Sequence, residues 1–390
     1  MTFLRPTVFI LLMLSASAVR AEDAGVVKKA AVMQHAKIIH ASYADSLAAA
    51  QRMRSVVGDF LSAPDAAKLE AAREAWTLAR QPFLQTEAYR FYSGPIDDAD
   101  GPEQLLNAWP RDENFIEAVP GGAEPGIVGN TRDFPQITPQ VLELVNQRDG
   151  EKCIACGWHA IEFLLWGQDK SAAGPGARPF TDYTSAPFAA RRGQLLKACV
   201  DLVILQLKAL AEDWRPEDIN KYRAYFEEAT DTSVENMLSA LIFLSENELA
   251  GARLQVAYDT KDQENEHSCF SDTTWQDNVY NTMGIQNVWR GTYVRTDGSR
   301  VEGLGLRDIF RALKPEMEAK VTELIGASVA KARAIPQPFD QAILGGDESP
   351  GRSAVMALIT ALEDQAVALR TLAQELGISV PDVPPGGLEG

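Results

Sequence analysis

Cysteine and histidine are scarce in this 390-residue chain, at four each, and positive charge is short: 37 Lys+Arg stand against 54 Asp+Glu, a formal net charge of -17. Four cysteines are too few to frame a disulfide-held miniature. The acidic balance repels polyphosphate, and no basic run interleaved with aromatics offsets it, which argues against nucleic-acid binding. Beyond the N-terminus no apolar run approaches the roughly 20 residues that span a bilayer, so the chain is not expected to be membrane-spanning. What is plentiful is hydrophobic residues, 46% of the total, enough for a large core in about two or three domains.

The first 21 residues read as a secretory leader, with Arg5, an apolar core over 8–14, and Val19 and Ala21 ahead of a cut. Cleavage removes Arg5 and Arg20 but no acid, deepening the net charge from -17 to -19. A soluble extracytoplasmic protein is expected, most simply a periplasmic one. In that oxidising space Cys153, Cys156, Cys199 and Cys269 are candidates for structural disulfides, with three full connectivities open. A zinc site would need a second close pair of soft ligands, and a thioredoxin-like role for Cys153 and Cys156 would need a βαβ context. The sequence shows neither.

Helix-forming composition with apolar residues at spacings of three and four covers 22–60, 66–91, 150–166, 188–211, 233–254, 306–332 and 353–376, with a shorter piece at 138–146. Strand-like alternation is confined to 287–294. The expected fold is all-α: two tandem four-helix-bundle-like domains, 22–186 and 187–378, with a flexible tail at 379–390. Long irregular stretches are expected at 93–136, 168–186 and 257–305. They contain Trp109, His267, Trp275, Trp289 and Tyr293, which suits ordered loops over a site better than disorder.

The densest chemistry lies in Gly157-Trp-His-Ala-Ile-Glu-Phe-Leu-Leu-Trp-Gly167. On a helix, His159, Glu162 and Trp166 share one face beside a broad apolar arc. Apart from the His/Glu pair nothing in the segment is charged, so the helix should be buried nearly all round, and Glu162 then needs a cation, a metal or donors. A satisfied core pair and a metal site both meet that need, since a neutral imidazole and a carboxylate one turn apart can ligate one ion. On a facing helix Trp76, Arg80, Phe83, Glu87 and Arg90 form a stripe, bent at Pro82. Glu87 is the third ligand candidate, with Arg80 and Arg90 as charge partners; a plain Glu87–Arg90 ion pair is the alternative. His267 would join only if Cys269, bonded to Cys153 or Cys156, pinned its loop beside the His159 helix. His35 and His40 read as surface or packing residues.

At these residues the sequence resembles the imelysin family, bacterial proteins filed as M75 peptidases and also called iron-regulated protein A-like. The signature is Gly-x-His-x-x-Glu, here Gly157, His159 and Glu162, extended through Trp166-Gly-Gln-Asp169. Supporting stretches are Ala79-Arg-Gln-Pro-Phe-Leu-Gln-Thr-Glu-Ala88, Asn107-Ala-Trp-Pro110, Gly174 to Tyr183, Glu266-His-Ser-Cys-Phe-Ser-Asp272 and Gly284-Ile-Gln-Asn287, in family order across most of the chain. The resemblance implies two helical bundles with the motif near their interface, a periplasmic or outer-membrane-associated location, and a link to iron acquisition. A similar domain occurs in Efe-type iron transport, where the corresponding residues are suggested metal ligands; that carries over to His159, Glu162 and Glu87.

The expected function is therefore binding of a divalent or trivalent metal ion or metal complex, iron favoured and zinc allowed, with a membrane-transport protein as a further partner. The first alternative is a metallopeptidase at the same site, with Glu162 as its catalytic residue. Familiar zinc peptidases read His-Glu-x-x-His or His-x-x-Glu-His, whereas this segment reads His-x-x-Glu-Phe, one ligand short. The second is recognition of a peptide, haem or siderophore by Trp109, Trp166, Trp275 and Trp289 without catalysis.

Overall fold

A computed structural model of the chain describes residues 7–381 other than 110, 111, 121, 123, 124, 172 and 173, with side chains from residue 24 onward. The leader expected at 1–21 lies outside the described side chains, and residues 382–390 of the expected tail lie outside the described residues. The fold is all-helical, as expected, apart from one small hairpin. The long helices are α1 (Thr7–Ser62), α2 (Ala66–Leu84), α3 (Gly157–Trp166), α4 (Ala189–Asp213), α5 (Thr230–Phe243), α6 (Thr274–Arg290), α7 (Pro315–Ala334) and α8 (Pro350–Glu375). Strands β1 (Thr292–Val294) and β2 (Arg300–Glu302) pair antiparallel, with Tyr293 opposite Val301. Among the described residues no helix is long and apolar enough to cross a membrane.

In the first half α1 lies along α2 and α4, and α3 packs between α2 and α4. In the second, α7 packs on α6 and α8, and α8 on the extension of α5. The division expected at residue 186 falls ahead of α4, so the bundle around the motif helix draws one helix from beyond that point. The two groups share a continuous apolar core. α1 also touches α5 and the hairpin, where its buried Asp45 accepts hydrogen bonds from Tyr293 Oη, Arg295 and the Thr296 amide.

Element ends follow local chemistry. Pro82 cannot donate within α2, and three residues later the chain tightens into a 3-10 turn, Gln85–Tyr89, that carries Glu87. The stretch expected as one helix over 306–332 is two, Leu306–Leu313 and α7, separated where Pro315 starts a new first turn. α5 passes into a π-helical run, Leu244–Gln255, before one more α turn, Val256–Thr260. The largest difference is at 257–305, expected to be irregular, which contains α6. That helix buries Gln276, Asp277, Asn278, Asn281 and Thr282 among Val279, Ile285, Val288 and Trp289, so polar residues interrupt the apolar stripe that would betray it.

No disulfide is formed among the described residues, so the expected cross-links are not what holds this fold. Cys156, Cys199 and Cys269 are buried, and burial pushes the Cys156 thiol well above its ordinary pKa. A thiol kept protonated in an apolar setting behaves as a small hydrophobe.

Candidate functional site

Helix α3 buries every one of its ten residues. It opens on Gly157 at φ 87°, where a Cβ would stand 2.6 Å from the Leu106 carbonyl oxygen, so only glycine fits the start of the motif. At the other end each of the last four carbonyls, orphaned by the end of the ladder, has a donor. Gly167 N serves Phe163, Tyr183 Oη serves Leu164, Arg73 serves Leu165 and Arg178 N serves Trp166. Trp76 Nε1 donates to the Trp158 carbonyl at 2.9 Å, fixing α2 against α3. These contacts hold the motif helix rigidly from outside, leaving its His/Glu face for chemistry.

On that face His159 Nδ1 lies 2.8 Å from Glu162 Oε2. The other Glu162 oxygen accepts from the backbone amide of Ser271 at 3.0 Å and from its hydroxyl at 2.7 Å. These bonds, rather than a disulfide through Cys269, pin the 263–273 loop beside α3. They bring His267 to the site: its Nε2 lies 3.2 Å from His159 Nε2, with the two rings crossed at 72°. His267 Nδ1 is in turn 2.8 Å from Asp277 Oδ2, to which Ser268 Oγ also donates at 2.6 Å. Two imidazoles thus face each other Nε2 to Nε2, each backed on Nδ1 by a buried carboxylate.

Arg80 extends the network. It donates to Asp277 Oδ1 at 3.3 Å and to Asn107 Oδ1 at 2.5 Å, and Asn107 donates to Glu87 Oε1 at 3.3 Å. Glu87 accepts from Arg90 at 2.9 Å and from Arg253 at 2.8 Å. The structure therefore brings His159, Glu162 and His267 together, whereas Glu87 sits at the far end of a hydrogen-bonded chain with its carboxylate taken up by Arg90, Arg253 and Asn107. Burial pushes the Glu87 carboxyl up, but Arg90 and Arg253 outweigh it and hold it below its ordinary value. Asp277 is raised by burial, with Arg80 and Ser268 pulling it back. Glu103, next to Arg90, is held up near 7 by burial, against Arg90 and with Glu87 and Glu248 adding to the rise.

A cavity of about 480 Å³ opens onto this network, lined by Arg90, Glu103, Trp109, Glu248, Arg253 and His267 among others. The π-helical run delivers Glu248 and Arg253 to it, a position where such bulges often serve function. Of the aromatic residues expected at a cleft, Trp109 is there, its ring 5.8 Å from that of His267. Trp166 is edge-on to Trp76 and lines a separate cleft of about 430 Å³ with Phe163 and Arg178, and Trp289 is buried, donating to Thr322 and stacked on Phe310. Among the described residues no group of three or more His, Cys, Asp or Glu is arranged to hold a metal ion by itself.

Asp277, Ser271 and Arg253 were not singled out in the sequence. For Asp277 a signal existed: Asp277, Asn278, Asn281 and Thr282 recur at helical spacing, a polar stripe that sets this segment apart from an ordinary amphipathic helix.

The family model described as imelysin, peptidase M75, matches residues 39–369. Iron-regulated protein A of Synechococcus elongatus is 26% identical over 336 residues, covering 84% of this chain and 80% of that protein. Among solved structures, an iron-regulated protein A precursor from Parabacteroides distasonis has a TM-score of 0.68 at 17% identity, covering 89% of this chain and 95% of its own. An imelysin-like protein from Psychrobacter arcticum has a TM-score of 0.60 at 14% identity, covering 91% and 97%. At these identities the structural likeness speaks for the fold.

Proposed function

The chain belongs to the imelysin family, and from that premise we propose that it is an extracytoplasmic iron-binding protein that holds an iron ion or iron complex against the facing imidazoles of His159 and His267. The observation that carries this reading is the Nε2-to-Nε2 approach of 3.2 Å between rings whose Nδ1 atoms both lie against carboxylates. A neutral imidazole has one N–H, and a carboxylate at Nδ1 draws it there, so both Nε2 atoms face each other as lone pairs. Two lone pairs at that distance repel, and a proton or a Lewis acid relieves them. Carboxylate on one ring nitrogen and metal on the other is the usual arrangement of a ligating histidine.

Glu162 and Asp277 then act by orienting the rings, and Glu87 balances Arg90 and Arg253. Two nitrogens leave an octahedral ion incomplete, and the cavity beside His267 and Trp109 admits the remaining donors, which favours a chelated ion over a bare one. Iron suits imidazole with oxygen donors, and the names of the relatives support it. The filed peptidase activity has less to support it, because Glu162 is turned toward His159 and Ser271 rather than held ready as a base.

Calorimetry with ferric citrate as the probe tests the reading. Wild-type protein binds, and His159→Ala and His267→Ala each lose at least tenfold in affinity. Absence of binding, or binding unchanged in both variants, overturns it.

A further inference from the structure

We infer that the cavity beside His267 holds a carboxylate chelator, and that Arg253 selects it through N–H groups that no protein acceptor serves. Arg253 lies in the π-helical run Leu244–Gln255, is 3% exposed, and lines the cavity with His267 and Trp109. Its Nη2 alone carries both of its ion pairs, to Glu87 Oε2 at 2.8 Å and to Glu248 Oε1 at 2.6 Å. Its Nε and Nη1 have no acceptor among the described residues, and between them these atoms carry most of the guanidinium's N–H groups. Arg90 lines the same cavity. Its Nη1 lies 2.9, 3.2 and 3.8 Å from Glu87, Glu103 and Glu248, and its Nε is unserved as well.

Buried donors without acceptors are rare, because each forfeits the hydrogen bonds it had in water. Those of Arg253 are also held in place. Residues five apart stack in a π-helix, so Glu248 sits one turn ahead of Arg253 and clamps it from its own segment while Glu87 clamps it from the facing turn. A side chain fixed in this way loses little freedom when a ligand arrives. Carboxylate oxygens are the acceptors that a guanidinium takes most strongly.

Charge and size narrow the molecule further. The cavity wall sets Arg90, Lys152 and Arg253 against Glu103, Glu151 and Glu248, an even balance in a chain whose net charge is -17. A free polyanion gains little from such a wall. A ferric hydroxycarboxylate, whose metal offsets most of its own carboxylate charge, gains the hydrogen bonds without the repulsion. A volume of about 480 Å³ suits a chelate of citrate size and is too small for a tris-catecholate siderophore. Placing iron on this chelator rests on the reading above, with one carboxylate meeting Arg253 and the others remaining on the ion at His159 and His267. The arginine subsite itself needs no metal.

The probe is therefore tricarballylate, which is citrate without the hydroxyl that helps it grip iron. Calorimetry on the mature chain stripped with EDTA should show binding of tricarballylate alone. At about ten times its Kd, tricarballylate should weaken ferric citrate roughly tenfold by competition. Arg253→Lys keeps the charge that Glu87 and Glu248 face, so circular dichroism and Tm stay close to wild type, but it gathers its donors at one point and tricarballylate affinity falls at least tenfold. Inorganic phosphate gives no heat at the concentration where tricarballylate saturates. The inference is overturned by a wild type that shows no tricarballylate heat, by ferric citrate binding that tricarballylate does not displace, by Arg253→Lys binding like wild type, or by phosphate binding as tightly. The wild-type titrations decide the matter even where the variant is unstable. Tricarballylate binding without any ferric citrate binding removes the iron reading and leaves the subsite; ferric citrate binding that depends on His159 and His267, with no tricarballylate heat, does the reverse.

Discussion

The fate of each histidine described here is decided by its immediate neighbours. His35, on α1, is buried edge-on to Tyr89 with neither ring nitrogen hydrogen-bonded, and burial lowers its pKa to about 3. A folded-state pKa below the unfolded value of 6.5 means the unfolded chain takes the proton first. Stability from this group is complete above pH 6.5 and is lost as pH falls toward 3. At pH 5 the loss is about 2 kcal/mol, and His35→Phe removes it; denaturant titrations at pH 5 and 8 should show the variant gaining on wild type only at the lower pH. His159 and Glu162 were legible in the sequence because they are the polar members of an otherwise apolar helix. His267 was legible only through a disulfide the structure lacks, since what places it is the Ser271–Glu162 pair, and backbone-to-carboxylate bonds across more than a hundred residues leave no local pattern. Asp277→Asn tests the ring-orienting role: an amide can offer the His267 Nδ1 a hydrogen instead of accepting one, and ferric citrate affinity should fall about 10- to 100-fold with little change in the circular dichroism.

Among the elements, α3 and α6 show opposite limits of pattern reading. The motif helix announces itself by composition, and its leading glycine has a mechanical reason, a left-handed start pressed against the Leu105 and Leu106 carbonyls. Gly157→Ala is expected to cost about 3 kcal/mol, of which about 1–2 is the left-handed backbone and the rest the displaced carbonyls, seen as a fall in Tm of several degrees. An unchanged Tm would show that the helix starts elsewhere. α6 fails the same pattern test because it buries amides and a carboxylate among its Val279, Ile285, Val288 and Trp289. Its Gly284 sits where a Cβ would meet the Gln85 carbonyl oxygen at 2.4 Å, and Asn287 donates to Gln85 Oε1 at 2.8 Å. Close approach and polar bonding thus replace hydrophobic interdigitation along its contact with the turn that carries Glu87.

At the scale of the whole molecule, the all-helical class was legible because amphipathic periodicity is a property of each segment alone. Which helices pack on which was not, because α4 and α1 choose their neighbours through packing. The net charge of -17 makes a prediction at this scale. Lowering ionic strength from about 0.15 M to 0.01 M lengthens the screening distance from about 8 to 30 Å, so association of aqueous ferrous ion should quicken roughly tenfold while that of anionic ferric citrate slows. Stopped-flow rates with the same salt dependence for both probes would show that the long-range field plays no part in capture. The polar character of α6 also has a consequence in time. Its buried Asp277 meets its partners Arg80, His267 and Ser268 only once α2 and the 263–273 loop have docked against it. During refolding its amides should gain protection from hydrogen exchange in the last phase. The chain would then complete its packing before His267 is held in place, and a molecule halted at that stage would be compact yet lack the paired imidazoles.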